Sequence, residues 1–457
     1  MPSETALAFA NTHQSKFLQH LKELIAIPSI STDPDHKTDM QHAAEWLQKR
    51  LLDIGMTRSE IYQTPGHPIV YSECLAAGPQ KPTVLIYGHY DVQPPDPLDL
   101  WSTPPFSPTI EQDYLIARGA SDMKGQILVS MSAVESVLAQ KEFPLNIKWI
   151  LEGEEEIGSI HLPEFIQEHR DLLACDVILN PDAGMIAPDV PTIVYALRGL
   201  AYFELRVYGP DHDLHSGMFG GVIHNPAIVL AEQIARLHDE QGRIAIPGFY
   251  DRVRELSAEE RQALALLPMD EAYYLRQTGA PALYGEAGYS PAEQVGGRPS
   301  LDVNGLYAGF IGQGSKTIIP AYAMAKISMR TVPDQDPQEI HQLFRTHLQH
   351  TMPPTVRWEL TMLGGGAASI SDLHHPAVTA FAKAMRTVWG KDPVFKREGG
   401  SIPITGDFQR ILGAESVLTG FGLPGDNIHS PNEHLHLPTW SKGIQAIIHF
   451  LYEYAIG

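Results

Sequence analysis

Three short apolar runs constrain the fold more than any other feature: TVLIY at 83–87, NIKWIL at 146–151 and DVIL at 176–179. Runs of this kind mark strands buried on both faces rather than strands with one wet side. Stretches with helical apolar spacing lie around them, at 12–26, 40–54 and 126–140. The alternation predicts an α/β domain whose mixed, mostly parallel sheet is flanked by helices.

The pattern changes after Arg198. Ala201, Phe203, Leu205 and Val207 alternate with polar neighbours, as in a half-buried strand. A helix at 226–239 follows, with Pro at its first turn. Then come strands at 303–311 and 323–332, a helix at 337–350 and a strand at 355–363. This β-α-β-β-α-β order predicts an inserted α+β domain of ferredoxin-like type. Residues 242–300 read as an insertion within it, and Gly364-Gly365-Gly366 as a linker. A helix at 376–389, a strand at 415–419 and an apolar helix at 442–454 close the chain. The predicted layout is one discontinuous domain, 1–198 with 366–457, and an inserted domain, 199–365.

Composition removes several function classes. The net charge is −21 over 457 residues, which opposes binding to nucleic acid or an anionic membrane. No run approaches the roughly 18 apolar residues of a spanning helix. The N-terminal stretch lacks a basic segment followed by an apolar core, so no secretory signal is expected. Two cysteines, Cys74 and Cys175, allow one bridge at most, and a cytoplasmic location is expected.

Each apolar run leads into metal-binding or proton-moving residues. TVLIYG leads to His89 and Asp91, NIKWILEG to Glu154-Glu155-Glu156, and DVILNP to Asp182. Ligands of open α/β sheets gather at the carboxyl ends of strands. Alone, each motif has a plainer explanation. H-x-D is common, Asp122 before a helix fits a cap, and an acidic run usually lies in solvent. Three like charges after a buried strand are costly, however, unless cations neutralise them. His429, His434 and His436 share one loop. With too few cysteines for a thiolate site, the available donors suit Zn²⁺, Mn²⁺ or Co²⁺. Two histidines and three carboxylates suffice for two metals about 3.5–4 Å apart with one carboxylate shared. The serine-hydrolase elbow, the P-loop and H-E-x-x-H are absent, and Gly312-Gln313-Gly314 has no third glycine at the spacing of a dinucleotide fingerprint.

The sequence resembles the M20 family of metallopeptidases, and closely its dipeptidase branch. The matching stretches are GHYDVQP (88–94), RGASDMKG (118–125), EGEEEIGS (152–159), DLHSGMFGG (213–221), KTIIP (316–320), REGGSIP (397–403) and HSPNEHL (429–435). The resemblance implies His89, Asp122, Glu156, Asp182 and His429 as metal ligands, with Asp122 bridging. It implies Glu155 as general base and Asp91 as support for His89. The extra acid, Glu154, leaves a register choice that the Gly158-Ser159 anchor resolves. His215 corresponds to the family histidine that reaches into the partner subunit's site, and Thr317, Arg330 and Ser401 to substrate-binding positions.

The implied cofactors are two divalent ions per subunit, Zn²⁺ first, with Mn²⁺ or Co²⁺ as alternatives. The implied partner is a second copy, a homodimer formed through the inserted lid domain. The implied activity is hydrolysis of dipeptides or short peptides with a free C-terminus, by a water activated on the metals with Glu155 as base. Alternatives are an N-acyl amino acid amidohydrolase, a carboxypeptidase, or a catalytically silent peptide-binding homologue. Two departures stand out: Met123 after Asp122, where the branch often has Asp or Asn and often a cis peptide bond, and Asn180-Pro181 before Asp182.

Overall fold

A computed structural model describes residues 2–140, 143–400 and 402–456. The chain divides into two compact units. The first comprises Met1–Tyr195, Ser371–Lys396 and Asp407–Gly457, and the second Ala196–Ile370 with Arg397–Gly406.

The sheet of the first unit runs in the order Arg58–Tyr62, Ile69–Cys74, Asn146–Glu152, Thr83–His89, Val177–Asn180, Glu415–Leu418, Thr192–Leu197. The four strands from Asn146–Glu152 to Glu415–Leu418 are mutually parallel, and the outer ones antiparallel. The sheet is therefore mixed, with a parallel centre. Every residue of the Asn146–Glu152 strand is buried, as its apolar run requires. The Lys124–Leu138 helix is covered on nearly all sides and packs against the C-terminal helix, Leu437–Ile456. Parallel pairing brings His89 level with Glu152. Three strand ends, His89, Glu152 and Asn180, thus release their loops at one edge of the sheet.

The second unit holds a four-stranded antiparallel sheet in the order Ser300–Ala308, Tyr322–Thr331, Gly199–Tyr208, Arg357–Gly366. The helix Pro226–Ala235 contacts the two central strands, and Pro337–Thr351 contacts Gly199–Tyr208 and Arg357–Gly366. Phe203, Leu205, Ile327, Met329 and Phe344 form part of the core between these layers. Asp336 caps the second helix, accepting hydrogen bonds from Gln338 N (2.7 Å) and Glu339 N (3.1 Å).

Gly364-Gly365-Gly366 is not a linker. These residues extend the last strand and pair with Tyr202, Ala201 and Leu200. A Cβ on Gly365 would lie 2.6 Å from Met362 Cε and 2.9 Å from Leu200 O. Glycine is there for close approach of neighbouring strands, which a run of glycines does not distinguish from flexibility. Among the described residues no helix is long and apolar enough to cross a membrane.

Candidate metal centre

The loops leaving the parallel strands, together with the turn before the Lys124–Leu138 helix, bring seven of the expected site residues together in the first unit. His89, at the end of its strand, is fully buried. Its Nε2 lies 3.1 Å from Asp122 Oδ1, 3.7 Å from Asp182 Oδ1 and 4.0 Å from Glu155 Oε2. His429 Nε2 lies 3.0 Å from the other oxygen of Asp122, Oδ2, and 3.2 Å from Glu156 Oε2. Two donor groups result, His89–Asp122–Asp182 and Asp122–Glu156–His429, each with its atoms within 4.8 Å of one another. Asp122 belongs to both and turns one oxygen toward each.

Asp91 supports this arrangement more broadly than a partner for His89 alone. The shorter contact of His89 Nδ1 is with the backbone oxygen of Asp91 (3.1 Å), and the carboxylate Oδ1 is 3.4 Å away. The two carboxylate oxygens also accept hydrogen bonds from the backbone N–H groups of Glu155 (3.3 Å) and Glu156 (3.1 Å). One buried acid therefore orients an imidazole and the turn that presents both glutamates.

Glu154 has a different task. Its buried carboxylate accepts from His67 N (3.0 Å) and His161 N (3.2 Å) and pairs with His161 Nδ1 at 2.8 Å. That leaves Glu155 and Glu156 for the centre. The Asp122–Met123 peptide bond is cis, and Met123 Sδ accepts a hydrogen bond from His89 N. Asn180 explains its place before Asp182: its Oδ1 accepts from Asp182 N at 3.0 Å, an Asx turn that shapes the loop. Gly420 completes that corner, because a Cβ there would fall 1.5 Å from Ala183 O.

The electrostatics are those of a crowded acid cluster. Burial foremost pushes Glu155 up to about 9, with Asp182, Asp122 and Glu156 adding to the rise and His89 opposing it. Burial likewise lifts Asp182 to about 6. Burial would raise Asp122 too, but its bonds to His429 and His89 outweigh that and hold it well below the usual range. Hydrogen bonds to Asp122 and Glu156 raise His429 to about 10. Burial opposes charge on His89, yet its carboxylate partners lift it well above an ordinary imidazole. So much negative charge converging on two imidazoles is what divalent cations would neutralise. The oxygen-and-imidazole donor set fits Zn²⁺, Mn²⁺ or Co²⁺.

His215, Thr317 and Arg330 belong to the second unit. His215 is exposed, and its Nδ1 accepts from Gly217 N at 3.0 Å. Thr317 is exposed next to it, its carbonyl accepting from Ser216 N at 3.1 Å. Arg330 is half-buried on its strand, and burial lowers its pKa, with Asp302 opposing. Ser401 lies outside the described residues.

Residues 85–453 match the family model of peptidase family M20/M25/M40. The chain belongs to peptidase family M20. This M20 chain is 33% identical over 467 residues to Cys-Gly metallodipeptidase DUG1 of Saccharomyces cerevisiae, covering 96% of the chain and 95% of that protein. It is 32% identical over 470 residues to the Beta-Ala-His dipeptidase of Homo sapiens, covering 99% of the chain and 92% of that protein. Among solved structures, the M20 family metallo-carboxypeptidase Sso-CP2 of Sulfolobus solfataricus superposes with a TM-score of 0.86 at 34% identity, over 96% of this chain and 99% of that one.

Several residues around the centre of this M20 peptidase escaped sequence reasoning. Gln93 Nε2 donates to Glu156 Oε2 at 2.8 Å. Glu152 is buried beneath the site, accepts from Tyr87 and Ser159, and is pushed up to about 8, chiefly by burial. Glu433 is fully buried against the loop that carries Asp122. All three lie inside the matched motifs, which was the available signal; their contacts span too much sequence for local spacing to reveal.

Proposed function

We propose that the protein hydrolyses the amide bond of dipeptides or short peptides with a free C-terminus, using two divalent ions per subunit. The observation that carries this reading is Asp122, shared between two donor groups with Glu155 beside them. The names of the full-length relatives support the substrate class. His89, Asp122 and Asp182 would hold one ion, and Asp122, Glu156 and His429 the other, with Zn²⁺ first and Mn²⁺ or Co²⁺ as alternatives. When bound, the ions supply the positive charge that acidifies a water and polarises the scissile carbonyl.

The chain's own residues do the rest. Glu155, whose carboxylate lies beside the shared donor groups, takes the proton of the attacking water and passes it to the leaving amine nitrogen. His215 donates to the developing oxyanion in the partner subunit's site. Arg330 holds the substrate's terminal carboxylate, a planar anion that matches a guanidinium fork, and Thr317 and Ser401 are further substrate-binding positions. The second unit, read as a ferredoxin-like insertion, serves as lid and dimerisation surface. Cys74 and Cys175, both free, suit the cytoplasm.

The test is a panel of dipeptides, N-acetylated amino acids and longer peptides, run on metal-stripped and Zn²⁺- or Mn²⁺-reconstituted protein. Metal-dependent cleavage of dipeptides is expected, and full activity of the stripped protein would overturn the reading. A second reading, a carboxypeptidase, is favoured by the likeness to Sso-CP2. Trimming of longer peptides one residue at a time from the C-terminus would select it.

A further inference from the structure

We infer that Glu433 is a positioning residue that ties both metal positions together, acting through the backbone of Asp122 and the loop of His429 rather than on an ion. This rests on the dinuclear reading above. Glu433 has no solvent exposure. Its Oε2 accepts from Arg118 Nη1 (2.7 Å) and Gly119 N (2.9 Å), and its Oε1 from Ser121 N (2.9 Å) and Asp122 N (3.0 Å). A carboxylate offers about four acceptor positions, and all are taken. No lone pair is left for a cation, so Glu433 is not a missing ligand despite its neighbourhood.

The same residue anchors the other half of the centre. Its backbone oxygen accepts from Ala117 N at 2.9 Å. The residues after it, His434–His436, form a short strand paired with Tyr114–Ile116. The loop before it carries His429. Glu433 therefore sits where two segments 311 residues apart in sequence meet. On one side it fixes the main chain of Asp122, whose two oxygens face His89 and His429. On the other it fixes the base of the loop that brings His429 to Asp122 and Glu156. Ser121 Oγ, donating to Asp426 Oδ2 at 2.7 Å, adds a second strut between the same segments. Because Glu433 holds the main chain that carries the shared carboxylate, disturbing it affects both donor groups, whereas loss of a terminal ligand affects one.

The amide of Glu433→Gln keeps one acceptor oxygen and turns a donor toward groups that are all donors. Calorimetric titration of the metal-stripped, full-length protein with Zn²⁺ is the test. Wild type is expected to bind two ions. Glu433→Gln is expected to weaken both binding steps by about 10- to 100-fold, the range seen when residues behind metal ligands are replaced. His429→Ala, as control, is expected to weaken one step only. At saturating Zn²⁺ the peptide KM of Glu433→Gln should match wild type, because Glu433 does not touch substrate. A folded Glu433→Gln protein with wild-type affinities, or with only one step weakened, overturns the inference. If that variant does not fold, Glu433→Asp carries the same test with the charge kept and the reach shortened. If neither folds, Glu433 is purely structural and the inference fails. Failure of wild type to bind two ions would instead sink the dinuclear reading beneath it.

Discussion

Replacing Asp91 with Asn probes the support of the centre without touching any residue assigned to an ion. The carboxylate accepts the N–H of Glu155 on Oδ1 and that of Glu156 on Oδ2. An amide keeps one acceptor and replaces the other with NH₂, so one backbone donor loses its partner and meets another donor. Leaving a buried donor unmet costs about 1–3 kcal/mol. If the turn relaxes to escape that cost, Glu155 and Glu156 shift from their working positions. At about 1.36 kcal/mol per tenfold in rate, the expected loss in kcat/KM is roughly 5- to 160-fold. The loss should fall on kcat, with KM little changed, because Asp91 faces the turn and His89 rather than substrate. Steady-state kinetics on a dipeptide at saturating metal, with metal content measured on the same sample, gives the answer. An Asp91→Asn enzyme within twofold of wild type and fully loaded would refute the role given to these two hydrogen bonds.

Other expectations are equally specific. Glu155→Gln should abolish turnover while metal content stays normal; an active variant removes Glu155 as the base. If His215 serves the partner subunit's site, mixing His215→Ala with Glu155→Gln should restore about a quarter of wild-type activity, since half the dimers are mixed and each has one working site. No recovery in a confirmed mixed dimer would count against that role. Burial pushes the Cys175 thiol up to about 12, with Lys148 opposing and Asp176 reinforcing. At pH 8 about 1 in 10⁴ of its side chains is then thiolate, against roughly 1 in 4 for an ordinary cysteine, so iodoacetamide should react about 10³-fold more slowly with native than with urea-unfolded protein. Equal rates would contradict the burial argument.

The central strands were legible because their apolar runs are continuous, and continuity survives without tertiary context. Thr83–His89 and Asn146–Glu152 differ from the expected ranges by only one or two residues at one end. The pair Arg58–Tyr62 and Ile69–Cys74 went unread: RSEIY is half-buried along its whole length, so no period-2 contrast appears. Strands of three residues, such as Tyr114–Ile116 and His434–His436, are too short for any pattern. The acids and imidazoles of the centre were legible because each closes or follows a local motif. Glu433 was not singled out, because an acid that collects backbone N–H groups leaves no trace in spacing. The same limit explains Gly365, where the reason for glycine is the close Leu200 carbonyl of a neighbouring strand.

Asp122 and His429 are 307 positions apart, and that separation sets an order of events during synthesis. A ribosome that has made the chain through Asp182 has produced only one of the two donor groups. The other awaits the residue at 429. An emerging or prematurely terminated polypeptide that stops short of His429 therefore carries at most the first donor group, and the second cannot assemble before that residue is made.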